Sequence, residues 1–420
     1  MADLIMNDIL GTPAILVGLF ALLGLLLQKK NAADTVSGTL KTIMGFVILG
    51  VGAGVLITSL DYFSQMFETA FNIRGVIPNN EAVVAVAQEA FGTETAMIML
   101  FGMVANIVIA RLTPFKYIFL TGHHTMFMAC LIAVILSSGG MAGIPLVVTG
   151  SLILGAAMVF FPAILQPYMR QITGNDDIAL GHFGSLGYFV SGTIGKRFGN
   201  KEKTTEDIKV PQSLGFLRDT SVAVSLTMAL LFIVVALFAG AAYIETELSE
   251  GMNFIIFSLM QGITFAAGVY VVLAGVRMLL AEIVPAFKGI ADKIVPNAKP
   301  ALDAPIVFPF APNAVIIGFM FSFLAGLGSM FLLPIFGLAL IVPGLVPHFF
   351  TGAAAGVFGN ALGGRKGAIL GAVANGILIS FLPALLMPIL SSLGFDSTTF
   401  GDSDFGAVGI LLGWLVSLFN

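Results

Sequence analysis

Residues 121–136 read Thr-Gly-His-His-Thr-Met-Phe-Met-Ala-Cys-Leu-Ile-Ala-Val-Ile-Leu, two adjacent histidines at the head of an apolar run that is unbroken from Phe127 to Leu136. With its flanks (residues 117–137) the segment is long enough, as a helix, to cross about 30 Å of hydrocarbon. Ionisable groups at membrane depth cost roughly 2.5 kcal/mol or more each, so they tend to mark a substrate or ion path. A neutral imidazole both donates and accepts hydrogen bonds, which suits a polyhydroxylated ligand. The alternative reading is a histidine bonded to a neighbouring helix as structural glue.

The rest of the chain repeats this pattern. Of 420 residues, 58% are hydrophobic and 10% charged, against roughly 25% charged in a soluble protein. Mean hydropathy is +1.02. The fold class read from this is an all-α polytopic membrane protein. Forty-nine glycines and nineteen methionines fit close helix packing and adaptable surfaces. A net charge of −4 without a basic run gives no footprint for nucleic acid. The single cysteine, Cys130, lies in the apolar run, so a disulfide within the chain is impossible and a cysteine-based metal site is disfavoured. Neither a phosphate-cradling Walker loop nor a His-Glu-x-x-His motif is present, and no cofactor or metal is expected. The start, Met-Ala-Asp-Leu-Ile-Met-Asn-Asp, lacks the basic opening of a cleaved signal, so residues 11–28 read as a retained first span.

Hydropathy predicts about eleven spans, near residues 11–28, 40–60, 95–111, 117–137, 143–165, 219–243, 252–280, 314–333, 335–360, 367–391 and 405–419. The positive-inside rule places Lys29-Lys30, Arg111–Lys116, Arg170, Lys196–Lys209, Lys288–Lys299 and Arg365-Lys366 in the cytoplasm. It places Asp3–Asp8, Glu245–Glu250 and Asp396–Asp404 on the other side, with the N-terminus outside and the C-terminus inside.

Three stretches do not fit simple spans: Asp61–Glu94, Tyr168–Asp219 and Lys288–Asn313, the last with five prolines. Irregular backbone at membrane depth is tolerated only where protein or a watery cavity satisfies it, so parts of these read as re-entrant hairpins. There is also an internal echo. Gly45, Gly52 and Leu56 recur in spacing as Gly268, Gly275 and Leu279. Val76-Ile77-Pro78-Asn79 and Ile294-Val295-Pro296-Asn297 follow the two copies. Opposite entry directions suit an inverted repeat, with sites at interrupted segments.

Further candidates lie in those stretches. His182, in Gly181-His182-Phe183-Gly184, is either a ligand or a packing histidine. Asp303, between Pro300 and Pro305, is either an acceptor for vicinal hydroxyls or a helix N-cap. Glu81 follows Asn79-Asn80 and equally suits N-terminal helix stabilisation. His348, in Pro347-His348-Phe349-Phe350-Thr351-Gly352, reads equally as a structural residue. Few acidic residues fall in the spans, which disfavours a carboxylate proton relay. Arg277 and Glu282 read as an interfacial anchor.

Thr121-Gly122-His123, Gly181-His182, Gly275-Val276-Arg277-Met278 through Ala281-Glu282, Ala286-Phe287-Lys288-Gly289-Ile290, Phe310-Ala311-Pro312-Asn313-Ala314-Val315 and Gly363-Gly364 together resemble the membrane (IIC) subunit of the L-ascorbate phosphotransferase system. The resemblance runs from about Lys41 to the ninth span. It implies a homodimer in the bacterial plasma (inner) membrane. Its eleven-helix protomer has a V-shaped scaffold domain (residues 11–60 and 219–280) and a mobile core with two re-entrant hairpins (61–218 and 281–391). Residues 392–420 form a C-terminal loop and last span. The core is implied to carry the sugar as an elevator and to present it to a soluble IIB subunit phosphorylated on cysteine, supplied through IIA, HPr and enzyme I. The chain has no phosphoryl-accepting residue of its own. By carry-over, His123, His182 and Asp303 contact the sugar, with Asn80, Glu81, Val346 and His348 around them.

The chain also departs from that pattern. Phe127 and Phe183 stand where ascorbate members carry glutamine, and Gly50 and Ala53 where polar side chains are expected. A pocket without those amides loses contacts worth about 1–3 kcal/mol, enough to change preference toward another sugar acid or polyol. The competing function is an ion-coupled secondary transporter, which needs no partner proteins. An intramembrane enzyme is disfavoured, because no paired acid–base or metal constellation lies on one span.

Overall fold

The structure is a computed structural model that describes residues 12–72, 76–78, 80–208, 220–391 and 398–418. Asp3–Asp8, Asn79, Lys209 and Asp396 lie outside the described residues, as do the side chains of Glu81, Arg277 and Glu282. The fold is mostly helical. In chain order the helices are α1 (Pro13–Leu27), α2 (Ala32–Phe71), α3 (Asn80–Leu112), α4 (Gly122–Ser138), α5 (Gly143–Thr173) and α6 (Ser185–Phe198). They continue with α7 (Thr220–Ala239), α8 (Ala241–Tyr243), α9 (Phe254–Ile294), α10 (Pro312–Leu332), α11 (Leu345–Ser391) and α12 (Ser403–Ser417).

Among the described residues, five helical stretches are long and apolar enough to cross a membrane: Ala32–Gly52, Phe91–Leu112, Gly143–Thr173, Pro312–Phe336 and Val346–Ser391. The pair Met228–Ala239 and Ala241–Leu248, bent by 105°, makes a sixth if it is one broken span. The bend falls at Gly240, whose φ of +91° is costly for any residue with a Cβ. These are fewer than the hydropathy of the sequence predicts, for physical reasons. Gly122–Ser138 and Ser403–Ser417 are apolar but short, and two expected spans share α11.

α11 is not one rod. At Gly364 the backbone takes φ 60° and ψ −153°. A Cβ on Gly359 would meet the Gly367 carbonyl at 2.3 Å. Eight residues of straight helix put such groups about 12 Å apart, so the chain folds back on itself at Gly364. The break predicted between residues 360 and 367 is this turn. Gly195 of α6 packs into it, and a Cβ on Gly363 would sit 2.2 Å from the Gly195 carbonyl.

The all-α expectation needs one correction. Among the described residues, five strands of two to four residues interrupt the helices: β1 (Ile77–Pro78), β2 (Tyr117–Phe119), β3 (Ala179–Leu180), β4 (Lys299–Leu302) and β5 (Thr398–Thr399). β4 is the centre of a parallel three-stranded sheet, flanked by β2 and β3. β1 pairs in parallel with β5, and Val76 bridges in parallel to Ile341. β1, β3 and β4 fall inside the three stretches that did not read as spans. Buried backbone between helices needs partners, and side-by-side extended segments supply them. Asn106 of α3 pins β2 by donating to the Tyr117 carbonyl (3.0 Å) and accepting from Phe119 N–H (3.1 Å).

The chain divides into two compact units. Both strand clusters belong to the first, built from Met1–Thr42, Val76–Asp207 and Glu282–Asn420. The second comprises Ile43–Gly75 and Ile208–Ala281. It is held by aromatic contacts, Tyr62 on Phe257 and Phe63 on Phe232, and by the Ser59 hydroxyl donating to the Gln261 carbonyl.

Candidate substrate site

Parallel strands end on the same side, about 5 Å from their neighbours, so the residues just beyond their carboxyl ends meet. β2 runs into Thr121 and the first turn of α4, which carries His123 and His124. β3 runs into Gly181 and His182. β4 ends at Asp303. The Thr121 hydroxyl donates to the Gly181 carbonyl and ties the first two turns together. His123 Nε2 lies 3.7 Å from Asp303 Oδ2, and His182 Nε2 lies 3.8 Å from Asp303 Oδ1. The rings of His124 and His182 stand 3.9 Å apart. His123 (21% exposed) and Asp303 (12%) keep an open face, while His182 is at 4%.

The hydrogen bonds fix the histidine tautomers. Gly184 N–H donates to His182 Nδ1 (3.0 Å), and the Tyr188 hydroxyl lies 2.9 Å from the same nitrogen. The neutral ring therefore carries its proton on Nε2, which faces Asp303. Phe183 N–H donates to His124 Nδ1 (3.4 Å), so that ring too presents an Nε2–H. Asp303 caps the helical turn Ala304–Phe310 by accepting from Ala304 N–H (2.7 Å) and keeps its other oxygen available. Two N–H donors and a carboxylate converge, a donor-and-acceptor set suited to hydroxyl and enolate oxygens. One ligand atom each from His123, His124 and Asp303 lies within 4.8 Å of the others. That spacing alone admits a metal ion, but the Nδ1 lone pair of His124 is already engaged and its Nε2 is protonated, which disfavours coordination.

The other strand cluster brings together further predicted residues. Asn80, in the first turn of α3, donates to Asp402 Oδ2 (2.7 Å) and accepts from Gly401 N–H (2.8 Å). Glu81 follows it in the same turn. Val346 opens α11, two residues before His348. His348 is buried, and its Nδ1 lies 2.9 Å from the Ser322 hydroxyl of α10. Ser322 and Thr351 in turn accept from the Asn375 amide. Among the described residues, the polar contact of the His348 ring ties α11 to α10 and does not reach His123, His182 or Asp303.

Residues 402–404 join the two clusters. The carboxylate of Asp404 accepts from Ser185 N–H and Leu186 N–H, both at 2.8 Å, and Asp404 N–H donates to the Phe183 carbonyl (2.9 Å). Asp402 and Asp404 are 3% and 0% exposed, so these members of the predicted outer acidic stretch are interior groups. In the sequence, Asp402-Ser403-Asp404 ahead of an apolar run signals a helix start. Tyr188, six residues from His182, carries no such signal, yet its hydroxyl meets His182 Nδ1.

Phe127 (4% exposed) and Phe183 (0%) are buried behind the histidines. Phe183 stacks on Phe119 and packs against Phe161 and Phe405, and the His124 ring lies flat on Phe405. Gly50 and Ala53 belong to the second unit.

The two basic segments form one surface. Asn200 N–H donates to the Gly363 carbonyl (2.8 Å) and Arg365 N–H to the Lys203 carbonyl (2.7 Å). Arg365 Nε also donates to Thr204 O (2.8 Å). Lys196, Arg197, Lys201, Lys203, Arg365 and Lys366 thus surround the α6–α11 junction. The loop is anchored inward as well, because Glu206 accepts from Asn313 N–H and Ala314 N–H at the start of α10.

A family model described as the PTS (phosphotransferase) system sugar-specific permease component matches residues 8–404. A curated protein of Mycoplasma pneumoniae, the ascorbate-specific PTS system EIIC component, is 26% identical over 424 residues. That alignment covers 87% of this chain and 63% of the relative, so the chain spans just under two thirds of the relative's length.

Proposed function

The chain belongs to the sugar-specific permease components of the phosphotransferase system, and we propose that it imports L-ascorbate, or a related sugar acid, and presents it to a cysteine-phosphorylated IIB subunit. The observation that carries this reading is the convergence of His123, His182 and Asp303 at the ends of three parallel strands. The Nε2–H groups suit the enolate and carbonyl oxygens of such a ligand, and Asp303 suits its hydroxyls. Asn80, Glu81, Val346 and His348 complete the surroundings from the second strand cluster. Their recurrence of the strand–turn–helix pattern supports an inverted repeat. The ascorbate name of the Mycoplasma pneumoniae relative supports the substrate.

Residues 61–218 and 281–391 serve as the moving core, and 11–60 with 219–280 as the scaffold of a homodimer, in an elevator-type cycle with about eleven spans. The N-terminus lies outside and the C-terminus in the cytoplasm of a bacterial inner membrane. IIB docks on the basic surface of Lys196–Lys203 with Arg365-Lys366. Its phosphoryl group, relayed from enzyme I through HPr and IIA, is dianionic and favours such a surface. Charge reversal at Lys203 and Arg365 is expected to slow phosphorylation while leaving sugar binding intact, and an unchanged rate refutes the docking site.

The deciding experiment is uptake of radiolabelled L-ascorbate into proteoliposomes with and without phosphorylated IIB on the cytoplasmic side. Phosphorylated product that appears only with IIB is the expected result. Uptake that needs an ion gradient and no IIB replaces this reading with a secondary transporter.

A further inference from the structure

α6 begins beside His182, and a helix start leaves backbone N–H groups without intrahelical partners. Here each has one. Gly184 N–H goes to His182 Nδ1 (3.0 Å), Ser185 N–H to Asp404 Oδ2 and Leu186 N–H to Asp404 Oδ1 (both 2.8 Å), and Gly187 N–H to Ser403 Oγ (3.2 Å). The cap of α6 is thus supplied in trans from α12, more than 200 residues along the chain. Asp404 N–H returns a bond to the Phe183 carbonyl (2.9 Å), and Ser403 Oγ also donates to Asp404 Oδ1 (3.0 Å). The turn that carries His182 is therefore held from both of its ends.

We propose that Asp404 is a positioning residue for sugar binding, which acts by holding the residue 183–186 turn so that Gly184 N–H fixes the tautomer of His182 and aims its Nε2–H at Asp303. The proposal rests on the substrate site described above. The amides of Ser185 and Leu186 both rest on this carboxylate, so its loss loosens the turn, which keeps the Ser185 hydroxyl bond to the His182 carbonyl (2.6 Å). Gly184 then drifts from His182 Nδ1, and the ring is free to protonate on either nitrogen. An anionic substrate cannot use the α6 N-terminus itself, because a buried carboxylate already occupies it. The residues on the substrate side of the turn are left to recognise the ligand.

The test uses the full-length protein in detergent, labelled with ¹⁵N-histidine, with the His182 signals assigned by their loss in His182→Gln. In the wild type, Nδ1 of His182 is expected to show the unprotonated signature and Nε2 the protonated one, without any sugar. In Asp404→Asn the amide turns a donor toward one of the two N–H groups, and the Nδ1 signature is expected to shift toward a mixture. An unchanged spectrum in folded Asp404→Asn overturns the proposal. L-ascorbate affinity is measured in parallel. Loss of about one charged hydrogen bond predicts a roughly tenfold weakening in Asp404→Asn. Within the His182→Gln background the same change is expected to weaken binding less than twofold. Additive losses overturn the proposal, because Asp404 then does not act through His182. If Asp404→Asn does not fold, Ser403→Ala, which removes both the acceptor of Gly187 N–H and the hydroxyl bond to Asp404 Oδ1, is expected to give the same spectral shift at smaller amplitude, and no shift overturns it. Wild type that binds no ascorbate refutes the substrate reading, while the spectra still decide the role of Asp404.

Discussion

Asp303→Asn separates two jobs that one side chain performs. Oδ1 caps Ala304 N–H at 2.7 Å, and Oδ2 faces His123 Nε2 at 3.7 Å. Asparagine caps helices about as well as aspartate, so its carbonyl keeps the bond to Ala304 and stability changes by only a few tenths of a kcal/mol. Its amide then stands where Oδ2 stood, a donor in place of a charged acceptor. A sugar hydroxyl that donated to Oδ2 loses a hydrogen bond to a charged group, worth about 1.5–3 kcal/mol, or roughly 10- to 150-fold in affinity. Asp303→Ala loses the cap as well and is expected to cost about 1 kcal/mol of stability on top of the same binding loss. Equilibrium binding of radiolabelled L-ascorbate to the purified protein, with Tm from the same preparations, measures both quantities. Affinity within twofold of wild type in Asp303→Asn, at unchanged Tm, refutes the assignment of Asp303 to the ligand. A drop in Tm of the same size in both variants refutes the separation of cap from ligand.

Gly364→Ala is expected to lower Tm sharply. The backbone there is open only to glycine, and an added Cβ would lie 2.2 Å from the Asn200 carbonyl, a combination worth about 1–3 kcal/mol or more. A Tm unchanged by the substitution refutes the reading of α11 as folded back at that residue. Phe183→Gln puts an amide into a dry aromatic stack, at a cost of roughly 1–3 kcal/mol, and is expected to lower Tm without creating a new sugar preference. A preference altered at full stability places Phe183 in the pocket instead. Asp176, in the loop after α5, is held well below the usual carboxylate range, first by the hydrogen bond from Arg170 and then by those from Lys299 and Gln166. Its stabilisation is therefore complete above the unfolded value of about 3.9 and is lost as pH falls toward the lower folded value. Since Asp176 is 43% exposed, the effect on Tm is small, under about 1 kcal/mol. The Tm gap between wild type and Asp176→Asn is expected to close below about pH 4, and a gap that does not vary with pH refutes the pairing.

The apolar segments and their interruptions were legible because both are local. A run of uncharged residues long enough to cross lipid is a one-dimensional signal, and so is a histidine or an aspartate set among prolines and glycines within it. His123, His182 and Asp303, which the structure brings together, stand out in the sequence for that reason. The strands were not legible. Ile77–Pro78 and Ala179–Leu180 are two residues long, too short to show any period. The positive-inside rule places Asp404 with the acidic stretch on the outer side, and nothing near it in sequence reveals that its partners are amides of α6. For Phe127 and Phe183, a sequence position does not reveal which way a side chain turns at a helix start. Both turn toward Phe405.

One physical requirement explains why the legible residues meet. An extended segment between buried helices must find backbone partners, and the nearest supply is another such segment. β4 pairs with β2 through Tyr117–Lys299, Ile118–Pro300 and Phe119–Ala301, and with β3 through Ala179–Ala301 and Leu180–Leu302. Each pairing aligns the carboxyl ends to within a residue or two, whatever the side chains that follow. Asp303 comes one residue after β4, His182 two after β3 and His123 four after β2. Side chains that are expensive in lipid are thus concentrated where the backbone is already compelled to leave the helix, and the same pairing that satisfies the main chain brings these polar groups together. β1, β5 and the Val76–Ile341 bridge repeat the arrangement around Asn80 and Asp402. On this argument the strands set the site, and the helices carry it.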